Sequence, residues 1–277
     1  MSLSVTPITP AIGGVVSGID LSQPLDDAVF GSIVDALHDR LVLLFRGQDI
    51  SEEQHRDFAA RFGPLHHHPI YPHSSQVPEI MLLDSAVNDL RDNALWHSDV
   101  SFNEIPPLGS VLVARMIPET GGDTLWTSAV AAYDELPEQM KADLDGMTAK
   151  HDIAKSFPAK RFGTDPAALE QLESAKRNNP AVTHPVIRTH PVTGRKAVYV
   201  NEGITTSIDG LDSDASDALL DKLFRHVTKP EFAMRWHWQE GDVAIWDNRV
   251  TQHYACDDYR PHRRVMHRAT MIGDRPF

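Results

Sequence analysis

An internal disulfide is closed to this chain. Its 277 residues include one cysteine, Cys256, so neither an internal bridge nor a cysteine-rich zinc module can form. Long apolar runs are missing as well. No stretch approaches the roughly 20 apolar residues of a membrane span, and the opening MSLSVTP has no basic-then-apolar signal pattern. The expectation is a cytoplasmic protein with no membrane partner. Basic charge is in deficit: 26 Lys and Arg stand against 39 Asp and Glu, a formal net charge of -13. Such a surface repels phosphate backbones and anionic lipid, which argues against a nucleic-acid partner. It does not exclude a small anionic ligand, because a few buried arginines can create a local positive field. Repeats, low-complexity runs and linkers are also missing, so residues 1–277 read as one domain, expected to form a homo-oligomer (dimer or tetramer).

What is present is an alternation of helical and extended patterns. Val29, Ile33, Ala36 and Leu37 give residues 25–40 helical spacing, and residues 41–45 form a short apolar strand. Ser51 with Gln54 makes a capping box, opening a helix that Gly63 stops. Further strands are expected at 109–116, 124–126, 183–188, 197–200, 234–238, 243–246 and 264–272. Ser128 is a good N-cap for a following helix, and 211–227 is an amphipathic helix. Residues 149–179 are polar without sustained apolar periodicity, the pattern of a lid or insertion. The reading is a strand-rich core with helices packed outside.

Fifteen histidines are many, and their placement decides which carry chemistry. His97 and Asp99 stand two apart in the run Trp96-His97-Ser98-Asp99-Val100-Ser101-Phe102. Read as a strand, with a side-chain period of two, the run points both residues to one side. An imidazole and a carboxylate so placed supply two members of a 2-His-1-carboxylate Fe(II) site. The similar His55-Arg56-Asp57 lies in the capped helix, where residues two apart are about 200° apart around the axis. They cannot share an ion, and that copy reads as a solvated helix face. His66, His67 and His73 read as plain members of a proline-rich loop, and Cys256 as a bystander.

A third ligand must come from far along the chain. His253 follows the apolar strand ending at Trp246, a position suited to the mouth of a barrel or to a hydrogen-bonded core histidine. Arg264, Met266, Arg268 and Thr270 share one face of a later strand. Two arginines on such a face are costly unless they meet anions, either the protein's own carboxylates or an anionic co-substrate and substrate gripped by the guanidinium fork. A zinc hydrolase with two histidines and an aspartate, or a non-catalytic anion-binding barrel, also fits these residues.

The longer motifs narrow this. Trp96-His97-Ser98-Asp99-Val100, Gly121-Gly122-Asp123-Thr124-Leu125-Trp126-Thr127-Ser128, Val200-Asn201-Glu202-Gly203, residues 246–253 and residues 263–270 together resemble the taurine dioxygenase (TauD/TfdA) family of Fe(II)/2-oxoglutarate-dependent dioxygenases. The resemblance covers nearly the whole chain. It implies a double-stranded β-helix (jelly roll) core with surrounding α-helices. It also implies Fe(II) held by His97, Asp99 and His253, and 2-oxoglutarate and O2 as co-substrates. Arg264 and Thr124 match residues that hold the distal carboxylate of 2-oxoglutarate. His68, Arg268 and the Val100 amide match residues around a taurine sulfonate, and Tyr71 and Asn93 match residues on the amine side. Ile204 departs from the pattern, standing where an aromatic ring is expected. The implied reaction hydroxylates taurine at the carbon bearing sulfur and releases sulfite and aminoacetaldehyde, with succinate and CO2. Alkyl sulfates, other sulfonates and aryloxyalkanoates are the alternative substrates.

Overall fold

A computed structural model describes residues 3–68, 71–87, 90–157 and 166–277. The chain opens with β1 (Ser4–Pro7) and β2 (Gly14–Ser17), then α1 (Asp27–Arg40), β3 (Val42–Phe45) and α2 (Glu52–Ala60). Short β4 (Leu65–His66) and β5 (Met81–Asp84) lead through a 3-10 turn at Arg91–Asn93 to β6 (Pro107–Met116). β7 (Thr124–Ser128) runs into α3 (Ala129–Asp134), followed by α4 (Glu138–Leu144), β8 (Thr148–His151), α5 (Ile153–Ser156) and α6 (Pro166–Asn178). Next come β9 (Val182–Pro185), β10 (Ile187–Thr189), β11 (Lys196–Val198), β12 (Thr205–Ile208) and α7 (Ser213–Val227). The last strands are β13 (Ala233–Trp236), β14 (Val243–Asp247), β15 (Thr251–Ala255) and β16 (Val265–Ile272).

Alternation along the central strands explains the layering. Val42 and Leu44 of β3, Leu112 and Ala114 of β6, and Ala244 and Trp246 of β14 join one apolar cluster with Trp126 and Trp238. Their neighbours Leu43, Phe45, Val111, Val113, Val243 and Ile245 join a second cluster with Ile33, Leu37 and Phe58 of α1 and α2. Both faces of this sheet are therefore covered, which is why its strands read as near-continuous apolar runs. The strand order is β1-β2-β3-β14-β6-β16-β4, with β5 also on β16; β2–β3 is parallel and the other pairings antiparallel. The sheets β13-β7-β15 and β12-β8-β9 complete the jelly roll around the first cluster, and helices lie outside. Among the described residues, no helix is long and apolar enough to cross a membrane.

Helix ends follow the local signals. Ser51 Oγ accepts from Gln54 N–H at 3.2 Å while Gln54 Oε1 accepts from Ser51 N–H at 2.8 Å, the reciprocal capping box expected at α2. Ser128 Oγ caps α3 through Ala131 N–H, and Asp212 caps α7 through Ala215 N–H.

Three sequence expectations need correction. Residues 96–102 are not a strand: His97 makes an isolated bridge with His253 and Asp99 lies in a turn. His55 is not on a solvated face. It is fully buried, with Nε2 donating to Val111 O at 2.9 Å, because α2 turns this face onto the sheet. The polar look of residues 149–179 hides a structural start: Ala149 and His151 are buried in β8, and Ile153 and Phe157 are buried one helical turn apart. Residues 158–165 of that expected lid lie outside the described residues.

Candidate active site

The short stretch 97–99 is fastened residue by residue to β15 and to the turn that leads into it from β14. His97 and His253 exchange both main-chain bonds, His97 N–H to His253 O at 3.0 Å and His253 N–H to His97 O at 2.8 Å. Ser98 Oγ donates to Thr251 O at 2.8 Å. Asp99 N–H donates to Asn248 Oδ1 at 2.7 Å, and Asn248 Nδ2 donates back to Asp99 O at 3.0 Å. This stitching, rather than strand periodicity, brings two residues from one loop beside a histidine 154 positions on. The following residue, Val100, takes φ 51. A β-branched residue there costs about 1–2 kcal/mol, and surrounding contacts must hold it. Close packing completes the loop: a Cβ on Gly203 would lie 3.0 Å from His97 Cβ, tighter than an ordinary contact, so glycine eases the close approach of the 200–204 segment.

The ligand atoms of His97, Asp99 and His253 all lie within 4.8 Å of one another. Asp99 Oδ1 is 3.9 Å from His97 Nε2 and 3.8 Å from His253 Nε2. His97 Nδ1 donates to Leu95 O at 2.7 Å, which fixes the ring so that Nε2 faces Asp99. Burial pushes His253 down to about 3, so its ring is neutral. Burial alone would raise the Asp99 carboxyl, but the Arg268 guanidinium together with the His253 and His97 rings holds Asp99 well below the usual carboxylate range. Asp99 Oδ2 is buried without a hydrogen-bond partner, the kind of group a cation satisfies. Two imidazoles and a carboxylate are a donor set that suits Fe(II), so these residues fit that metal.

A second triplet, His38, His190 and Asp247, is equally close, but two of its members are already engaged. His190 Nδ1 accepts from Val192 and Thr193 N–H, and its Nε2 donates to Asp247 Oδ2 at 2.9 Å. Arg249 Nη2 donates to the same oxygen at 2.6 Å. His190 and Asp247 are thus held with Arg249 in a buried ion-pair network.

Two hollows meet at the triad. One, of about 580 Å³, is bordered by Thr124, Trp126, Trp246, His253 and Arg264. Arg264 is buried, its Nε donates to Gly122 O at 3.0 Å, and burial pushes the guanidinium down to about 10. No carboxylate among the described residues pairs with it. Gly122, at φ 71, admits this approach, for a Cβ would lie 3.0 Å from Arg264 Cδ. Trp238 Nε1 donates to Thr124 Oγ1 at 2.9 Å. Because that hydroxyl oxygen is already accepting, its own proton is left to donate elsewhere.

The other hollow, of about 460 Å³, is bordered by His68, Tyr71, Asp99, Val100, Phe157 and Ile204. Leu83, Asn93 and Arg268 border both. Arg268 Nη1 donates to Asp99 Oδ1 at 2.8 Å, while its Nε is buried without a partner. Asn93 Nδ2 lies 3.5 Å from Tyr71 Oη. All ten residues singled out in the sequence thus border these hollows or the triad. The sequence reading did not identify Phe157, Ser156, Leu83 or Trp238. For Phe157 a signal existed, its spacing of four from Ile153, but the polar surroundings masked it.

Comparison with known proteins agrees with this architecture. The family model for taurine catabolism dioxygenase TauD, TfdA family, matches residues 4–270. An alkylsulfatase of Acinetobacter baylyi is 39% identical over 274 residues, covering 98% of this chain and 86% of the relative. An alpha-ketoglutarate-dependent sulfate ester dioxygenase of Pseudomonas putida is 37% identical, covering 100% of this chain and 91% of the relative. The crystal structure of a taurine dioxygenase from Burkholderia xenovorans superposes with a TM-score of 0.84 at 35% identity, covering 100% of this chain and 91% of that one. The chain belongs to the TauD/TfdA family and is an Fe(II)- and 2-oxoglutarate-dependent dioxygenase.

Proposed function

We propose that the enzyme oxidises taurine at the carbon bearing sulfur, with His97, Asp99 and His253 holding the Fe(II). Arg264 and the Thr124 hydroxyl take the distal carboxylate of 2-oxoglutarate, and His68, Arg268 and the Val100 N–H take the sulfonate. The observation carrying this reading is the position of Arg268, which borders both hollows with a buried, unpartnered Nε beside the triad. A buried guanidinium with spare donors is a site for a small oxyanion.

When bound, iron and 2-oxoglutarate supply the oxidising power, with O2 consumed and succinate and CO2 formed. The protein's share is placement. Arg268 anchors the oxyanion so that the adjoining carbon lies against the triad, and Leu83, Val100, Phe157 and Ile204 keep water away. Burial, followed by Arg268, holds His68 neutral. Tyr71 N–H donates to His68 Nδ1 at 3.4 Å, placing the ring proton on Nε2 for donation. The Tyr71 hydroxyl and Asn93 carboxamide form the polar end suited to an amine. Hydroxylation of the sulfur-bearing carbon gives a 1-hydroxysulfonate, whose C–S bond breaks to give an aldehyde and sulfite. On this reading residues 1–277 act as one domain, with 149–179 contributing Ser156 and Phe157 to the substrate wall.

Alkyl sulfates are a second reading. Among the described residues bordering the substrate hollow, Asp99 is the sole carboxylate and is already paired with Arg268, so an ammonium at the Tyr71–Asn93 end meets neutral groups. Ile204 leaves an aliphatic wall, and the two relatives described above are named for sulfate esters. Product analysis separates the readings, since sulfonates yield sulfite and sulfate esters yield sulfate. Higher kcat/KM for taurine than for short alkyl sulfates is expected; the reverse order would replace taurine as substrate.

A further inference from the structure

We propose that Asn248 is a positioning residue that sets where the Asp99 carboxylate lies; this rests on the reading of Asp99 as a metal ligand. Asp99 lies in a turn, outside any strand, so no ladder satisfies its main-chain groups. One side chain does so instead. The Asn248 carboxamide accepts from Asp99 N–H at 2.7 Å and donates to Asp99 O at 3.0 Å, standing in for a neighbouring strand. Its remaining proton goes to Pro107 O at 3.2 Å, tying the same carboxamide to the first residue of β6. Asn248 is fully buried, and all its polar side-chain atoms are used.

The clamp is itself fixed. Asn248 N–H donates to Leu108 O at 2.8 Å. The preceding Asp247 receives Arg249 Nε at 2.8 Å and His190 Nε2 at 2.9 Å, and Thr251 Oγ1 closes onto Asp247 O at 2.8 Å. The ion-pair network thus has a use: it freezes the turn from which Asn248 reaches Asp99. On the other side of Asp99, Val100 is held at φ 51, and its carbonyl accepts from Asn103 N–H at 3.0 Å. Relaxing Val100 toward an extended conformation would swing Asp99 away from His97 and His253. The two bonds from Asn248 oppose that swing, because both Asp99 peptide groups would have to leave the carboxamide.

The test is Co(II) titration of the apo-protein, read by the affinity and by the visible d–d bands, which report ligand geometry without turnover. Asn248→Ala is expected to weaken Co(II) binding roughly ten- to a hundredfold, as loss of groups that orient ligands does, and to change the d–d bands. Asn248→Asp keeps an acceptor for Asp99 N–H but loses both donors; it should shift affinity and bands in the same direction, and it decides the matter if the alanine variant does not fold. Ser216→Ala, on α7, removes the buried hydrogen bond that Ile208 N–H of β12 donates to Ser216 Oγ; neither residue borders the two hollows, and the variant serves as a stability control. Wild-type affinity and bands in the Asn248 variants, or an equal loss in Ser216→Ala, would overturn the proposal. Asp99→Ala separates the two readings: if it still binds Co(II) like wild type, the metal-ligand assignment fails rather than the clamp alone.

Discussion

Arg268 Nη1 donates to Asp99 Oδ1 at 2.8 Å, across 169 positions of sequence. One guanidinium therefore touches the carboxylate of the triad and borders both hollows, while Arg264, four residues earlier, borders only the one that Thr124 also lines. Arg264→Ala should mainly raise the KM for 2-oxoglutarate, and Arg268→Ala mainly that for the organosulfur substrate. Each lost charge-assisted contact costs about 1.5–3 kcal/mol, a tenfold to somewhat over a hundredfold change. Steady-state kinetics with each substrate varied in turn measures the split. Equal damage to both KM values from each variant would contradict it.

Trp238 is expected to act through Thr124. Trp238→Phe removes the indole N–H that occupies Thr124 Oγ1 and frees that oxygen to turn. The net loss of one neutral hydrogen bond is about 0.5–1.5 kcal/mol. The expected result is a two- to tenfold weaker 2-oxoglutarate affinity with unchanged sulfonate KM. Anaerobic calorimetric titration of 2-oxoglutarate into the Fe(II) enzyme reads it, and an unaltered affinity would remove Trp238 from the site.

Ile204 is 2% exposed against the substrate hollow. Ile204→Phe adds a ring to that wall. Alkyl sulfates longer than taurine should lose kcat/KM by about tenfold, in line with the roughly 1–3 kcal/mol by which one methylene discriminates in an apolar pocket. Taurine turnover should change less. A substrate series of increasing chain length makes the comparison, and a uniform loss at every length would argue that Ile204 does not limit pocket size.

Acid should destabilise the fold through His55. Burial pushes this imidazole down to about 3 from an ordinary value of 6.5. Between those values the unfolded chain holds a proton that the folded one refuses. The contribution is therefore complete above about pH 6.5 and shrinks as pH falls toward 3, at about 1.4 kcal/mol per pH unit for one such group. Urea midpoints of wild type and His55→Gln between pH 6.5 and 4.5 should show the smaller slope in the variant. Parallel slopes would show that His55 is protonated in the fold.

Much of this was legible in the sequence, and the exceptions share a cause. The central strands announced themselves because both faces are buried, and the α2 capping box is a three-residue signal. The position of Asp99 was anticipated for a different reason from the one that operates. An extended run would place it beside His97, whereas the protein uses a turn with a left-handed valine, a conformation that local preference disfavours and that Asn248, from 149 positions away, stabilises. His55 was misread because helical periodicity says which residues share a face, not which face meets a sheet. Ser156 and Phe157 were hidden in a segment whose composition is polar but whose path crosses the pocket.

The supply of site residues from distant stretches sets a timetable for synthesis. Asp99 and Thr124 emerge early, but His253, Arg264 and Arg268 lie in or beside the last two strands, and β16 must enter the main sheet between β6 and β4. A ribosome-bound fragment ending before β15 has at most two of the triad ligands and neither arginine. Oxygen-activating chemistry is thus withheld from the nascent chain until the barrel that contains it has closed.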